Sequence, residues 1–141
     1  MSESLACVVC PTVAELVTAG QPPVPVDCEL RYTMADCLAI TATFSTLTHS
    51  VSWTFARCLL DHGRFRPIGE GDIVVRPALD DKGQAAVGIE LSSPDGSAAL
   101  RMPAFDVAHF VDMTKVLVPE GAEMAGVDLD AAISQLLGHV G

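Results

Sequence analysis

The stretch LAITATFSTLTHSVSWTFARCLLDHG, residues 38–63, changes its hydrophobic period partway along. Apolar and hydroxyl side chains alternate over residues 38–45 and again over 51–55, with the polar run TLTHS between them. Half-buried strands show this alternation, so the pattern predicts a hairpin that pairs large side chains on one face. Residues 56–63 then lack proline and β-branched residues and end in glycine. They predict a short helix with Gly63 at its C′ position.

Alternation continues on the C-terminal side of this stretch. GDIVVRP (71–77) predicts a strand that Pro77 should end, and AAVGIELSS (85–93) and AALRM (98–102) predict two antiparallel strands joined by the turn SPDGS. The preceding GEGD (69–72) is acidic and leads into a strand instead of a helix, so it predicts a turn and not a phosphate loop.

The N-terminal third leaves two alternatives open. ACVVCPTVAELVT (6–18) fits either a strand interrupted by Pro11 or a helix that begins near it, and the strand is favoured. In QPPVPVDCELRYT, three prolines precede an extended run. They predict a loop into a second strand that ends near Thr33.

Helical periodicity dominates the C-terminal part of the chain. Behind Pro103, the apolar residues Ala104, Val107, Ala108 and Val111 recur at helical spacing, and VPEGAE (118–123) then interrupts the pattern. A last helix is predicted with Asp128 at its N-cap and one apolar face that needs cover, formed by Leu129, Ile133, Leu136, Leu137 and Val140. Residues 1–141 therefore predict one α+β domain with an antiparallel sheet.

Composition limits the possible functions. Half of the 141 residues are apolar, and a formal net charge of −10 opposes a polyanionic partner such as nucleic acid. Arg31 is the first basic residue and no apolar run is long enough for a bilayer span. We therefore expect a cytoplasmic protein that does not insert in a membrane. Its five cysteines, an odd number at irregular spacing, fit reduced thiols better than disulfides.

Two cysteine motifs could carry chemistry. Cys7 and Cys10 form a C-x-x-C, but the strand and helix that a redox motif requires are missing, and no further ligand pair completes a zinc site. Cys58 and His62 lie four residues apart, which brings side chains together on a helix. Without an oxyanion hole, their simpler interpretation is an inward thiol and a histidine at a helix end. We predict no catalytic, metal or cofactor site.

Several longer segments together resemble the SsgA-like family of sporulation-specific cell division proteins of actinomycetes. They are PVPVDCELRYTMADCLAITATF, VSWTFARCLLDHGRFRPIGEGDIVVRP, GIELSSPDGSAAL and FVDMTKVLVPEGAE followed by VDLDAAISQLL. The resemblance runs from about Pro23 to Leu137, so residues 1–22 form an N-terminal extension that includes the first strand. LSSP and the segment with Arg57 look most like the branch that initiates sporulation septation. Cys37, Leu38 and Cys58 depart from the family pattern.

The resemblance implies a non-enzymatic adaptor at division septa. Members of the family help to position the tubulin-like protein FtsZ and to promote its assembly, together with a paralogous SsgA-like partner. Their fold is similar to the whirly and mitochondrial RNA-binding proteins, with antiparallel sheets packed against helices in a trimer. The turn positions Glu70, Asp72 and Gly121 fall in family motifs and are the candidate contact residues.

Two alternatives remain open beside the adaptor. A whirly-like single-strand nucleic-acid-binding module would need a local basic groove formed by Arg57, Arg64, Arg66 and Arg76. A thiol enzyme would need a reactive Cys58 assisted by His62.

Overall fold

A computed structural model describes residues 7–122 of the chain. It contains eight strands and two helices in this part. In chain order they are β1 (Cys7–Val17), β2 (Val24–Thr33), β3 (Asp36–Ser45), β4 (Ser50–Ala56), α1 (Arg57–Gly63), β5 (Ile68–Glu70), β6 (Ile73–Leu79), β7 (Ala85–Ser93), β8 (Gly96–Pro103) and α2 (Ala104–Leu117).

All eight strands belong to one antiparallel sheet in the order β4-β3-β2-β1-β8-β7-β6-β5. The chain thus builds two four-stranded meanders, which meet where β1 pairs with β8 through Glu15–Arg101, Leu16–Leu100 and Val17–Ala99. The sheet curls, so that side chains from β3 and β4 line the same groove as side chains from β7 and β8. The predicted α+β class is confirmed, as a single curled sheet with two helices on its inner face.

The predicted hairpin of residues 38–55 is confirmed. Ile40, Ala42 and Phe44 are buried on the inner face of β3, while hydroxyls pair across the outer face, such as Thr43 Oγ1 with Ser52 Oγ at 2.8 Å. Leu38 was expected on the buried face, but it lies at the start of the strand and remains exposed.

Two prolines show how an open strand edge tolerates a missing N–H donor. The N-terminal segment is a strand, as favoured, and it continues through Pro11 where β1 has not yet reached β8. Pro77 was expected to end β6, yet that strand continues to Leu79. Its pairing with β5 covers only Ile73–Val75, so no strand of the described part of the chain faces the backbone of Pro77 on that side.

The segment GEGD is only partly a turn. Gly69 and Glu70 belong to β5, which pairs with β6, and Gly71 makes the turn with a φ of +61°. β5 has only three residues, so its alternation of apolar and polar side chains is too short to predict a strand from the sequence. The loop after Pro22 and the strand that follows it, β2, are confirmed.

Both helices that fall in the described residues were predicted, but Gly63 has a different role. It is the last residue of α1, and the following Arg64 has ordinary right-handed helical angles. Glycine is required there because the helix lies directly on β6: an added Cβ would lie 2.5 Å from Val75 Cβ and 3.0 Å from Val75 O. The predicted last helix, with Asp128 and its apolar face, lies outside the described residues.

Candidate protein-contact site

The curled sheet has two unlike ends, and the first of them is closed by the helices. We define the capped end as α1, α2 and the strand residues that they cover. Arg57, the first residue of α1, is 4% exposed. Its Nη1 donates to the carbonyl oxygens of Thr114 at 3.1 Å and Val118 at 2.7 Å, and its guanidinium lies 5.0 Å from the ring centroid of Tyr32. Arg57 therefore binds carbonyl oxygens at the C-terminus of α2, one of which, that of Thr114, also accepts from the N–H of Val118, and it ties the two helices together.

A second ionic cluster joins the same helices. Asp61 accepts a hydrogen bond from Arg64 Nη2 at 2.6 Å and pairs with Lys115 Nζ at 2.8 Å. Burial alone raises the pKa of Asp61, but the hydrogen bonds and charges of Lys115 and Arg64 outweigh it, so the net pKa is lowered. Asp61 thus lies between two cations, which sequence spacing could not show because Lys115 is on the other helix.

The cysteine motifs form no reactive arrangement in the described residues. Cys7 and Cys10 lie three apart on β1, and burial, followed by the charge of Asp106, raises the pKa of Cys10, whereas a redox thiol needs a lowered one. Cys28 is buried against Met102, and burial raises its pKa to about 12 with a further contribution from Glu29. The interpretation of Cys58 as an inward thiol was wrong: α1 turns other residues toward the sheet, and Cys58 is exposed. No hydrogen bond joins it to His62 in the described structure.

The other end of the curled sheet carries an open apolar groove of about 410 Å³. We define the open end as this groove and its rim. Its apolar lining comes from six consecutive strands of the sheet, from β4 to β7, namely Trp53, Phe44, Val26, Leu16, Leu100 and Leu91. Polar groups from the β7–β8 turn and from His49 form its rim. A concave apolar surface with polar groups around it is the common form of a binding site for a ligand or a protein segment.

One wall of the groove is the edge strand β4. Among residues 7–122 no strand lies beyond it in the sheet. Val51 and Trp53 turn toward the groove, and Val51 remains 52% exposed. The opposite wall is formed by the β7–β8 turn and by the end of β7, where Ser92 and Ser93 of the LSSP motif lie. An unpaired backbone edge therefore runs beside an apolar groove.

The three candidate contact residues do not form one cluster. Glu70 and Asp72 are exposed at the β5–β6 turn, and the carbonyl oxygen of Asp72 accepts a hydrogen bond from the N–H of Ser92 at 2.9 Å. That turn thus borders the open end. Gly121, with a φ of +93°, belongs to the turn after α2 at the capped end. Their role as contacts stays a prediction.

Sequence reasoning missed the groove itself. It placed Val51 and Trp53 on one face of a hairpin, which is correct, but it did not show that they line an open groove. Their partial exposure depends on how far α1 and α2 extend across the inner face. No local pattern around Trp53 contains that information.

The basic groove that nucleic-acid binding would need is not formed by the four arginines. Arg57 is buried between the helices, Arg64 pairs with Asp61, and Arg76 pairs with Glu90. Three of the four positive charges are thus already matched by carbonyl dipoles or carboxylates. The structure does not favour the nucleic-acid alternative.

Residues 7–122 contain neither a metal-binding cluster nor a membrane-spanning helix. No three side chains of His, Cys, Asp or Glu in this part of the chain are arranged to hold a metal ion. Neither of its helices combines the length and the apolar character that crossing a membrane requires.

The fold and the groove define a small antiparallel α+β protein with an open surface for binding. The family described as "Streptomyces sporulation and cell division protein, SsgA" matches residues 26–123. The chain belongs to this SsgA family, as the resemblance predicted.

Relatives and solved structures agree with this assignment. The sporulation-specific cell division protein SsgB of Streptomyces coelicolor is 42% identical over 129 residues, which cover 91% of this chain and 93% of the relative. SsgB of Saccharopolyspora erythraea is also 42% identical, over 90% of this chain and 89% of its own. The crystal structure of the SsgA-like sporulation-specific cell division protein from Thermobifida fusca matches with a TM-score of 0.82 at 37% identity, covering 96% of this chain and 98% of that one.

Proposed function

We propose that this chain is a non-enzymatic adaptor that recruits FtsZ to division septa during sporulation and promotes its assembly there. The family and the names of its SsgB relatives support a role in sporulation-specific cell division. The observation that carries the adaptor mechanism is the open apolar groove beside an unpaired strand edge. Such a surface suits contact with another protein better than turnover of a small molecule.

The adaptor works with a paralogous SsgA-like protein and as a homo-oligomer, most simply a trimer with a whirly-like arrangement. Apolar side chains outside the groove support assembly, since Phe65 after α1 and Phe105 and Val116 on α2 are exposed. Contiguous exposed apolar patches commonly mark protein–protein interaction sites. Copies of the chain would bury some of them, and the groove would remain for the division partner.

Co-sedimentation with polymerising FtsZ from the same organism tests this proposal. The oligomeric state is fixed beforehand by light scattering. We expect an oligomer that pellets with the polymers and increases the pelleted fraction of FtsZ. A protein that stays in the supernatant and leaves FtsZ assembly unchanged would contradict direct recruitment.

A control separates specific contact from trapping in the pellet. The variant Val51→Lys adds a charge in the groove, and Val13→Lys makes the same change on the outer face of β1, at 54% exposure against 52% for Val51. Val13 lies opposite Asp27, which gives the new lysine a partner. We expect Val13→Lys to pellet like the unchanged protein.

A further inference from the structure

We propose that the groove binds an extended segment of a partner protein, which adds to the edge of β4 and carries alternating apolar side chains and at least one lysine or arginine. This inference rests on the proposed adaptor function and names the chemistry of what the adaptor binds. Three properties of the open end lead to it: the backbone edge, the spacing of the apolar lining and the charge of the rim.

The backbone edge determines the conformation of the bound segment. β4 pairs with β3 from Ser50 to Ala56, and on its other side no described strand or backbone hydrogen bond engages these residues. In an antiparallel pair, every second residue turns its N–H and C=O away from the partner strand. Those N–H and C=O groups of β4 can hydrogen-bond to an added strand. A bound helix uses its backbone groups within itself, so it would leave the groups of β4 without a protein partner.

The apolar lining determines the spacing of the side chains. Val51 and Trp53 are two residues apart on β4 and face the groove together. A strand added beside β4 points alternate side chains to the same face. Its apolar residues would then lie against Trp53, Phe44 and Leu91, which line the groove. The residues between them would face water, next to the outer hydroxyl face of the hairpin.

The rim determines the charge of the segment. Asp95 is the one Asp, Glu, Lys or Arg among the described residues that line the groove, and it is exposed on the β7–β8 turn. It favours a cation on the bound segment, and the net charge of −10 adds to that preference over longer distances.

The same charge argues against occupants from this chain. The C-terminal residues 123–141 carry an apolar stripe, but they contain Glu123, Asp128 and Asp130 and no lysine or arginine. A second copy brings another acidic surface. Both are opposed by Asp95 and by the acidity of the chain, so a partner segment with a basic residue fits better.

The test selects short random peptides from a display library on the full-length protein and removes those that also bind Val51→Lys. Trp53 is the only tryptophan of the chain and lines the groove, so its emission reports binding of the selected peptides once any tryptophan in them is replaced by phenylalanine. We expect peptides with alternating apolar residues and a lysine or arginine, which saturably shift Trp53 emission. The Val51→Lys variant should bind these peptides with about ten-fold lower affinity.

Two matched variants sharpen the readout. Asp95→Asn should weaken binding roughly two- to five-fold at low salt and remove part of its salt dependence. Val13→Lys should leave the affinity unchanged. The proposal would be overturned if the selection yields no peptide whose binding depends on Val51. It would also be overturned if the selected peptides are acidic and bind Asp95→Asn as tightly as the unchanged protein.

The remaining occupants give separate results. If a peptide of residues 123–141 shifts Trp53 emission and removal of these residues opens the groove to solvent, the chain covers its own groove and the partner segment is wrong. If Val51→Lys changes the mass measured by light scattering, the groove is a contact between copies, and the proposal is again wrong. If the selected peptides bind but FtsZ does not co-sediment, the groove assignment stands and FtsZ as the partner does not.

Discussion

The capped end and the open end belong to the same sheet, but the capped end buries charged groups and the open end leaves apolar groups accessible. At the capped end a guanidinium and a carboxylate are buried and fully engaged by both helices. At the open end Val51 remains accessible beside a strand edge that no other strand of residues 7–122 pairs with. The first arrangement holds the fold together, and the second is available for a partner. Substitutions at the two ends should therefore separate stability from binding.

The largest loss of stability is expected for Arg57→Ala. The change removes hydrogen bonds to two buried carbonyl oxygens and the contact with the Tyr32 ring, so the free energy of unfolding should fall by about 3 kcal/mol. Chemical denaturation followed by circular dichroism measures it. The control Arg31→Ala removes an exposed ion pair with Glu29 and should cost less than about 0.5 kcal/mol. Equal effects of the two changes would remove the central role given to Arg57.

A smaller loss is expected for Gly63→Ala, also at the capped end. The added methyl would overlap Val75 on β6, and the helix or the strand must move, at a cost of about 2 kcal/mol. Gly88→Ala is the matched control, because its Cβ would meet Ala78 Cβ at an ordinary 3.4 Å. Thermal unfolding compares the two. A Gly63→Ala protein as stable as Gly88→Ala would show that α1 does not lie so close to β6.

The Asp61 cluster should give a pH-dependent loss of about 1 kcal/mol. The pKa of Asp61 is lowered from its ordinary value of 3.8, so the stability it contributes is complete above that pH and is lost as the pH falls through the lowered folded value. Asp61→Asn should therefore be less stable than the unchanged protein at neutral pH, and the difference should shrink in acid. Denaturation curves across this range measure it. A difference that stays constant with pH would contradict the ion cluster.

The smallest effect on stability is expected at the open end. Val51→Lys changes an accessible side chain, so the free energy of unfolding should move by no more than about 0.5 kcal/mol. The same variant should lose most of its co-sedimentation with FtsZ. A strongly destabilised Val51→Lys protein would show that the groove belongs to the core, and the contrast between the two ends would fail.

Periodicity predicted most of the fold, because the information lies in neighbouring residues. The alternation around Phe44 and the helix after Trp53 were read correctly, and the strand through Pro11 was favoured correctly. Pro77 was taken as a strand end because the sequence does not show that β5 stops pairing before it.

The candidate site was less accessible from sequence. Asp61 pairs with Lys115, and Val51 lines the same groove as Leu91, and both relations join segments far apart in the chain. Residue types alone could not show which apolar side chains the helices leave uncovered. The family resemblance predicted a role in cell division, and the groove came only from the three-dimensional arrangement.

Hydrogen–deuterium exchange of the full-length protein, with and without polymerised FtsZ, tests the contrast between the two ends most directly. We expect slower exchange in β4, Ser50–Ala56, and in the β7–β8 turn, with little change in α1 and α2. Slower exchange confined to α2 or to the outer face of β1, with β4 unaffected, would contradict the assignment of the open end as the surface that contacts the partner.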